Sequence, residues 1–190
     1  MFPSSSDLVN LFDEKTREWF AHLSEKSSTL SSDDFIGKII ALHHCNFFQW
    51  IEEDKAHSTH CEESEIAHLK KEIDASNLRR SHLIDEIDSY FFFTLKITRT
   101  DNWNNLYINS QTLGEIMDKL SVLCLKRFFI GLKSKTSCQS EGDHNRKAER
   151  MEELVKYVSA CYDRFIKHLQ EGKGYMPFGQ LKLYGAQGEN

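Results

Sequence analysis

Polar residues able to bind or transform a small molecule recur in this chain at positions where an apolar pattern leads the eye to expect core. They are His43, His44, Asn46, Trp50, Glu53 and Asp54 in one stretch, Asp74, Asn77 and Arg80 in a second, and Asp118 and Lys126 in a third. Phe35, Ile36, Ile39 and Ile40 open an apolar stripe at helical spacing. Continued at the same period, it runs through His43, Asn46 or Phe47, Trp50, Glu53 or Asp54, and His57. A face that begins as core turns polar without leaving the core side. Buried polar groups cost roughly 1–3 kcal/mol each when unpaired, so this face must meet partners from the rest of the chain. One chemistry that answers is a ligand pocket between helices. Its carboxylates would orient hydroxyls or a metal, Arg80 would take an anionic group, and Trp50 would stack on a ring. His43 or His44 could serve it as a general base, since the unperturbed imidazole titrates near neutrality. The other answer is a buried hydrogen-bonded network that fixes helix register.

The elements that must carry these residues are helices. The chain has 190 residues and only two prolines, Pro3 and Pro177, so its whole middle lacks the strongest helix breaker. That length suits one domain with a core of its own. The expected fold is all-α, a single-domain antiparallel bundle of about five helices over 7–24, 33–57, 62–98, 113–131 and 146–170. Ser4 to Ser6 cap the first, Ser31 with Asp34 has capping-box spacing for the second, and Thr112 with Glu115 for the fourth. The fourth helix is apolar almost all round and is expected at the centre. Residues 134–145 read as a flexible loop. Gly172 and Gly174 end the fifth helix. The tail, with Phe178, Leu181, Leu183 and Tyr184, reads as packing back onto the bundle.

A hairpin of helices two and three folded about residue 60 would set His43 against Asn77, Asn46 against Asp74, and Ile40 level with Arg80. The polar interruptions on both helices would then share one layer.

Charge and composition narrow the partners. The formal net charge is −5, which argues against non-specific binding of nucleic acid or an anionic membrane. No run approaches the roughly 18 apolar residues of a membrane span, and the first residues lack the basic and apolar regions of a signal peptide. The five cysteines (Cys45, Cys61, Cys124, Cys138, Cys161) are odd in number and scattered, as reduced thiols in a cytoplasm would be.

Two patterns in the sequence bear on metal chemistry. A carboxylate-bridged di-metal bundle needs Glu-x-x-His on two helices. Glu65-x-x-His68 supplies it once and Asp54-x-x-His57 imitates it, but surface charge accounts for both, and no resident metal is expected. Glu62-x-x-Glu65 and Asp85-x-x-Asp88 superficially resemble the paired acidic motifs of all-α nucleotide hydrolases. Both pairs fall on one helix, however. Magnesium needs only one or two carboxylates plus substrate phosphates, so it remains compatible with a phosphorylated ligand.

Four blocks of residues, in order, resemble one bacterial family, the domain-of-unknown-function 4254 family. The first is His44-Cys45-Asn46-Phe47 with Trp50, Glu53-Asp54 and Ala56. The second is Lys71, Ile73-Asp74, Asn77, Arg79-Arg80 and Glu86-Ile87-Asp88. The third is Asn109-Ser110-Gln111-Thr112, Gly114, Asp118-Lys119-Leu120-Ser121 and Leu125-Lys126, and the last is Gln180-Leu181-Lys182-Leu183-Tyr184. Departures are visible. His57 stands where the family usually has Arg, Leu78 where Gln is common, and Gln111-Thr112-Leu113 where Glu-Thr-Pro is typical. Ser81-His82 replaces an Asn-Asp pair, and Gly185-Ala186-Gln187 an Asn-Asp-Pro. The resemblance implies a small soluble helical protein, divergent if the family site is catalytic, and lends no activity.

The expected function is therefore recognition of a polar, anionic small molecule, phosphorylated or sugar-containing, at a polar seam between helices two, three and four. The alternative is a non-catalytic interaction or adaptor module, a homodimer through apolar surface on helix one or the tail, in which the seam is structural.

Overall fold

The computed structural model describes residues 2–23, 34–56, 63–98, 103–133 and 141–177. It is an all-α bundle of α1 (Ser5–Ala21), α2 (Phe35–Ala56), α3 (Glu63–Thr94), α4 (Leu113–Lys133) and α5 (Glu141–Gln170). A two-residue ladder joins β1 (Tyr107–Ile108) in parallel to β2 (Gly174–Tyr175), which ties the segment before α4 to the end of α5. Ser31, His57, Cys61, Glu62, Cys138 and the expected tail packing lie outside the described residues.

Local chemistry sets the helix ends. Ser4 caps α1 in a full capping box with Asp7. Asp34 accepts the Gly37 N–H at 2.6 Å at the start of α2. Thr112 and Glu115 exchange side-chain bonds with each other's backbone N–H at 3.2 and 2.9 Å before α4. Gly172, at φ +67°, closes α5 with the Lys173 N–H on His168 O and its own N–H on Leu169 O. The end of α3 uses the same closure without a glycine. Lys96 takes φ +52°, its N–H bonds Phe93 O and the Ile97 N–H bonds Phe92 O. That is why α3 stops at Thr94 and not at 98. In the other direction, α5 starts at Glu141, so residues 141–145 are helix and not loop. Asp143 in its first turn suits the positive end of the helix dipole.

Directions follow from side-chain pairs. Lys38 with Glu86 and Gln49 with Asn77 make α2 and α3 antiparallel. Asp88 with Gly114 and Arg80 with Asp118 do the same for α3 and α4. The first helix departs from the expected order. Phe2 meets Phe35, Phe12 meets His43 and Trp19 meets Phe47, so α1 runs parallel to α2.

α4 packs against each of the other four helices, and Leu113, Met117, Leu120, Ser121 and Cys124 are fully buried. Arg127 on α4 ties three helices together, reaching Asp13 of α1 at 2.6 Å and Glu152 of α5 at 3.0 Å. These ion-pair bonds hold the guanidinium's pKa above its ordinary value although burial opposes them.

Close approach of α3 to α4 needs Gly114. A Cβ there would lie 2.8 Å from Ile84 O and 2.9 Å from an Asp88 carboxylate oxygen. Overpacking typically costs 1–3 kcal/mol, and here it also pushes on a hydrogen bond. Alanine recovers about 1 kcal/mol of helix propensity. Gly114→Ala should therefore lose up to about 2 kcal/mol, read as a lower urea midpoint; an unchanged midpoint would mean that α3 gives way freely.

Candidate functional site

A chain of polar side chains leads from the bundle interior to its surface. His43 is fully buried and stacks on Phe12 at 4.5 Å. Its Nε2 lies 3.0 Å from Phe12 O and 2.9 Å from Thr16 Oγ1. A carbonyl only accepts, so Nε2 carries the proton and Nδ1 is left to accept from the Ser121 hydroxyl at 2.7 Å. Ser121 Oγ in turn accepts from Asn46 Nδ2 at 3.0 Å, and the same amide donates to Asp118 Oδ1 at 2.9 Å. Asp118 pairs with Arg80 Nε at 3.4 Å. Arg80 donates to Gln49 Oε1 at 3.1 Å, and Gln49 Nε2 donates to Asn77 Oδ1 at 3.0 Å. Asn46 Oδ1, buried at the middle of this chain, has no partner among the described residues.

The outer end opens into a cleft of about 380 Å³ between α3 and α4. Arg80, Ser81, Ile84 and Asp85 form one wall, and Gln111, Glu115, Asp118, Lys119 and Val122 the other. The two walls carry two cations and three carboxylates. Asp118 and Glu115 are held by Asn46 and by the capping box. Lys119 and the Asp85 carboxylate have no ion-pair partner among the described residues. Among the described residues the cleft thus offers one preset cation, Arg80, and a cation and a carboxylate, Lys119 and Asp85, with no ion pair. Such a set can hold an anionic group beside hydroxyls.

Below the cleft, Asp88 is 2 % exposed and accepts the Gly114 N–H at 2.7 Å. Burial pushes its pKa up to about 7, against the bonds from Thr112 and Gly114. Burial drives His43 the other way, down to about 3, so the ring is neutral at any ordinary pH.

The residues singled out from sequence fall into three groups. Asn46, Arg80 and Asp118 come together at the inner end of the cleft, with Asn77 one bond further out. His43 belongs to the network but has no access to the cleft. The remaining six stand apart. Trp50 stacks on Phe129 at 5.1 Å and 8°. His44 sits edge-on to Trp19 at 4.9 Å, its pKa lowered by burial and then by Arg79. Glu53, Asp54, Asp74 and Lys126 are exposed.

The hairpin pairing differs from expectation in its faces. Cys45 and Gln49 look toward α3, as Lys38 does, the thiol beside Ser76 and the amide on Asn77. His43 and Asn46 look toward α1 and α4 instead, and Asp74 meets neither. A helix buried on two sides has no single inward stripe, and projecting one put His43 opposite Asn77. The same projection reaches Glu53, and Lys126 stands out as a polar interruption of the apolar α4, but in both places the neighbouring residue is the one that packs inward. Glu52 is 5 % exposed and bonded to Lys55 at 2.6 Å, and Arg127 is the three-helix tie.

Sequence reasoning missed Asp85, Gln111, Glu115 and Lys119 as cleft residues. Only Glu115 carries a spacing signal, three residues before Asp118; Asp85 lies five residues after Arg80 and Lys119 directly follows Asp118, spacings that share no helical face.

Among the described residues no three His, Cys, Asp or Glu side chains gather as a metal site, and no helix is long and apolar enough to cross a membrane. A family described as a protein of unknown function, DUF4254, matches residues 37–178, which include both walls of the cleft. No curated protein and no solved structure matches the chain.

Proposed function

The chain belongs to the DUF4254 family, and from that premise we propose that it binds a polar, anionic small molecule, phosphorylated or sugar-containing, in the cleft between α3 and α4. The carrying observation is that the buried chain from His43 to Asp118 ends by presetting Arg80 at an open polar cleft, beside Lys119, which has no ion-pair partner among the described residues. Arg80 and Lys119 take the anionic group and Asp85 and Glu115 accept from hydroxyls. Magnesium would arrive with a phosphate rather than wait in a protein cage. A purely structural network accounts for the inner half, His43, Ser121 and Asn46, but gives Lys119 and Asp85 no task. Free thiols at Cys45, Cys124 and Cys161, the first two buried, support a reducing bacterial cytoplasm as the setting.

A non-catalytic interaction module is the second reading, favoured by Phe93 and Tyr157, which are 67 % and 66 % exposed and belong to neither wall of the cleft.

A thermal-shift screen of hexose phosphates, free hexoses, nucleotides and magnesium chloride tests the first reading. A ligand that binds only the native state raises the melting temperature by mass action. A phosphorylated compound should stabilise the wild type and Asp74→Asn, whose carboxylate is exposed outside the cleft, but not Lys119→Ala. No shift with any compound, or a shift that Lys119→Ala retains, would count against the cleft.

A further inference from the structure

The outer face of α5 carries a charge pattern for which the bundle has no use. Arg146, Glu149, Arg150 and Glu153 are spaced by three, one and three residues, which places all four on one helical stripe. All are exposed, as is every residue from Asn145 to Arg150. With Leu154 and Tyr157 they line an open trough of about 580 Å³. Arg146 reaches Asp143 at 3.9 Å, but among the described residues no ion pair joins any two of the four. Neighbours four apart on the stripe are like-charged, Arg146 with Arg150 and Glu149 with Glu153. In a lone helix these repulsions are offset by the opposite charges three apart, Arg146 with Glu149 and Arg150 with Glu153, so the pattern brings the helix no net gain.

Read in the opposite direction, the stripe exchanges every sign. A second α5 laid antiparallel about a twofold axis near residues 149 and 150 sets Arg146 against the partner's Glu153 and Glu149 against the partner's Arg150. The twofold repeats both pairs. Parallel pairing would oppose like charges throughout. We infer that two copies of this chain associate through the outer stripe of α5 as an antiparallel, charge-complementary homodimer, with Leu154 and Tyr157 closing its two ends. This surface is separate from the α3–α4 cleft, and the inference stands or falls independently of what that cleft binds. A single helix seam is short for a protein interface, and exposed ion pairs are screened by salt. The dimer is therefore weak and ionic-strength dependent.

Sedimentation velocity on the full chain, across the micromolar to millimolar range at low and high salt, tests it. The wild type should dimerise with rising concentration at low salt and dissociate at high salt. Arg146→Glu with Arg150→Glu makes the stripe wholly acidic, and Glu149→Arg with Glu153→Arg makes it wholly basic. Each double variant should self-associate at least about tenfold more weakly, since like charges now face each other. An equimolar mixture of the two should form a heterodimer at least as tight as the wild-type dimer. Because all four side chains are exposed, both variants should melt near the wild-type temperature. A wild type that stays monomeric at every concentration, or a dimer indifferent to salt, would overturn the inference whatever the variants do. So would folded variants whose mixture fails to associate.

Discussion

Replacing His43 with leucine should lower stability by about 2–4 kcal/mol near neutral pH and change how stability varies with pH. The first effect has the size expected for removing a buried, fully bonded side chain. The imidazole serves Phe12 O, Thr16 and Ser121 together, and leucine serves none of them. The second effect comes from linkage. His43 is held down to about 3 in the fold against an ordinary 6.5. As pH falls through that window the unfolded chain takes up a proton that the native ring refuses. Stability is then lost at about 1.4 kcal/mol per pH unit. Asp88 does the reverse. Its pKa rises from 3.8 to about 7, so between those values the native state keeps a proton that the unfolded chain has released. Stability is lost as pH rises, at a similar rate. Between about pH 4 and 6.5 the two slopes nearly cancel. Relative to wild type, His43→Leu should thus become progressively less stable as pH rises across this range. Asp88→Asn should become progressively more stable. Urea midpoints at several pH values read both tilts; two variants running parallel to wild type would refute the assignment.

A second large effect is expected at Asp118, where stability and binding should separate. Asp118 accepts from the Asn46 amide and holds Arg80 toward the cleft. Asn46 is 4 % exposed, so Asp118→Ala strips a buried donor of one acceptor and should cost about 1–3 kcal/mol. Asp118→Asn keeps an oxygen for Asn46 and removes only the charge opposite Arg80. A half-exposed pair contributes little to folding, about 1 kcal/mol or less. Loss of the preset guanidinium should nevertheless weaken binding of a hexose phosphate at least about tenfold, as loss of a charge-assisted contact does. Calorimetric titration beside urea unfolding measures both quantities. Binding unchanged in Asp118→Asn would detach Arg80 from the site.

Much of the fold was legible because it is written locally. The boxes at Ser4–Asp7 and Thr112–Glu115 are short-range hydrogen-bond patterns, and the apolar circumference of α4 announces a central helix. The course of α1 was not legible. Nothing in Phe12 or Trp19 distinguishes a partner running parallel from one running antiparallel. The closure at Lys96 was hidden because a left-handed residue is usually glycine.

The candidate site was legible in part for a related reason. Polar residues on an apolar face single out Asn46, Arg80 and Asp118, which the fold joins through Asp118, whereas the hairpin projection sets Asn46 against Asp74 and Arg80 level with Ile40. The period of 3.6 assigns a residue to a face, and α2 has two buried faces, so the period alone places His43 in the hairpin seam although it turns toward α1 and α4. At the end of such a projection an error of one residue exchanges inside for outside, and Glu53 stands in for Glu52. On α4 the polar interruption Lys126 lies beside Arg127, the residue that packs inward. Asp85 and Lys119 carried no such mark, since their importance lies in facing each other across two helices.

The most direct measurement is a titration of the isotope-labelled full chain with a hexose phosphate, followed through its backbone amide resonances. Saturable shifts should gather at residues 80–85 and 111–122, the two walls of the cleft, and should vanish in Lys119→Ala. An absence of shifts, or shifts confined to another face such as that around Tyr157, would contradict a binding site between α3 and α4.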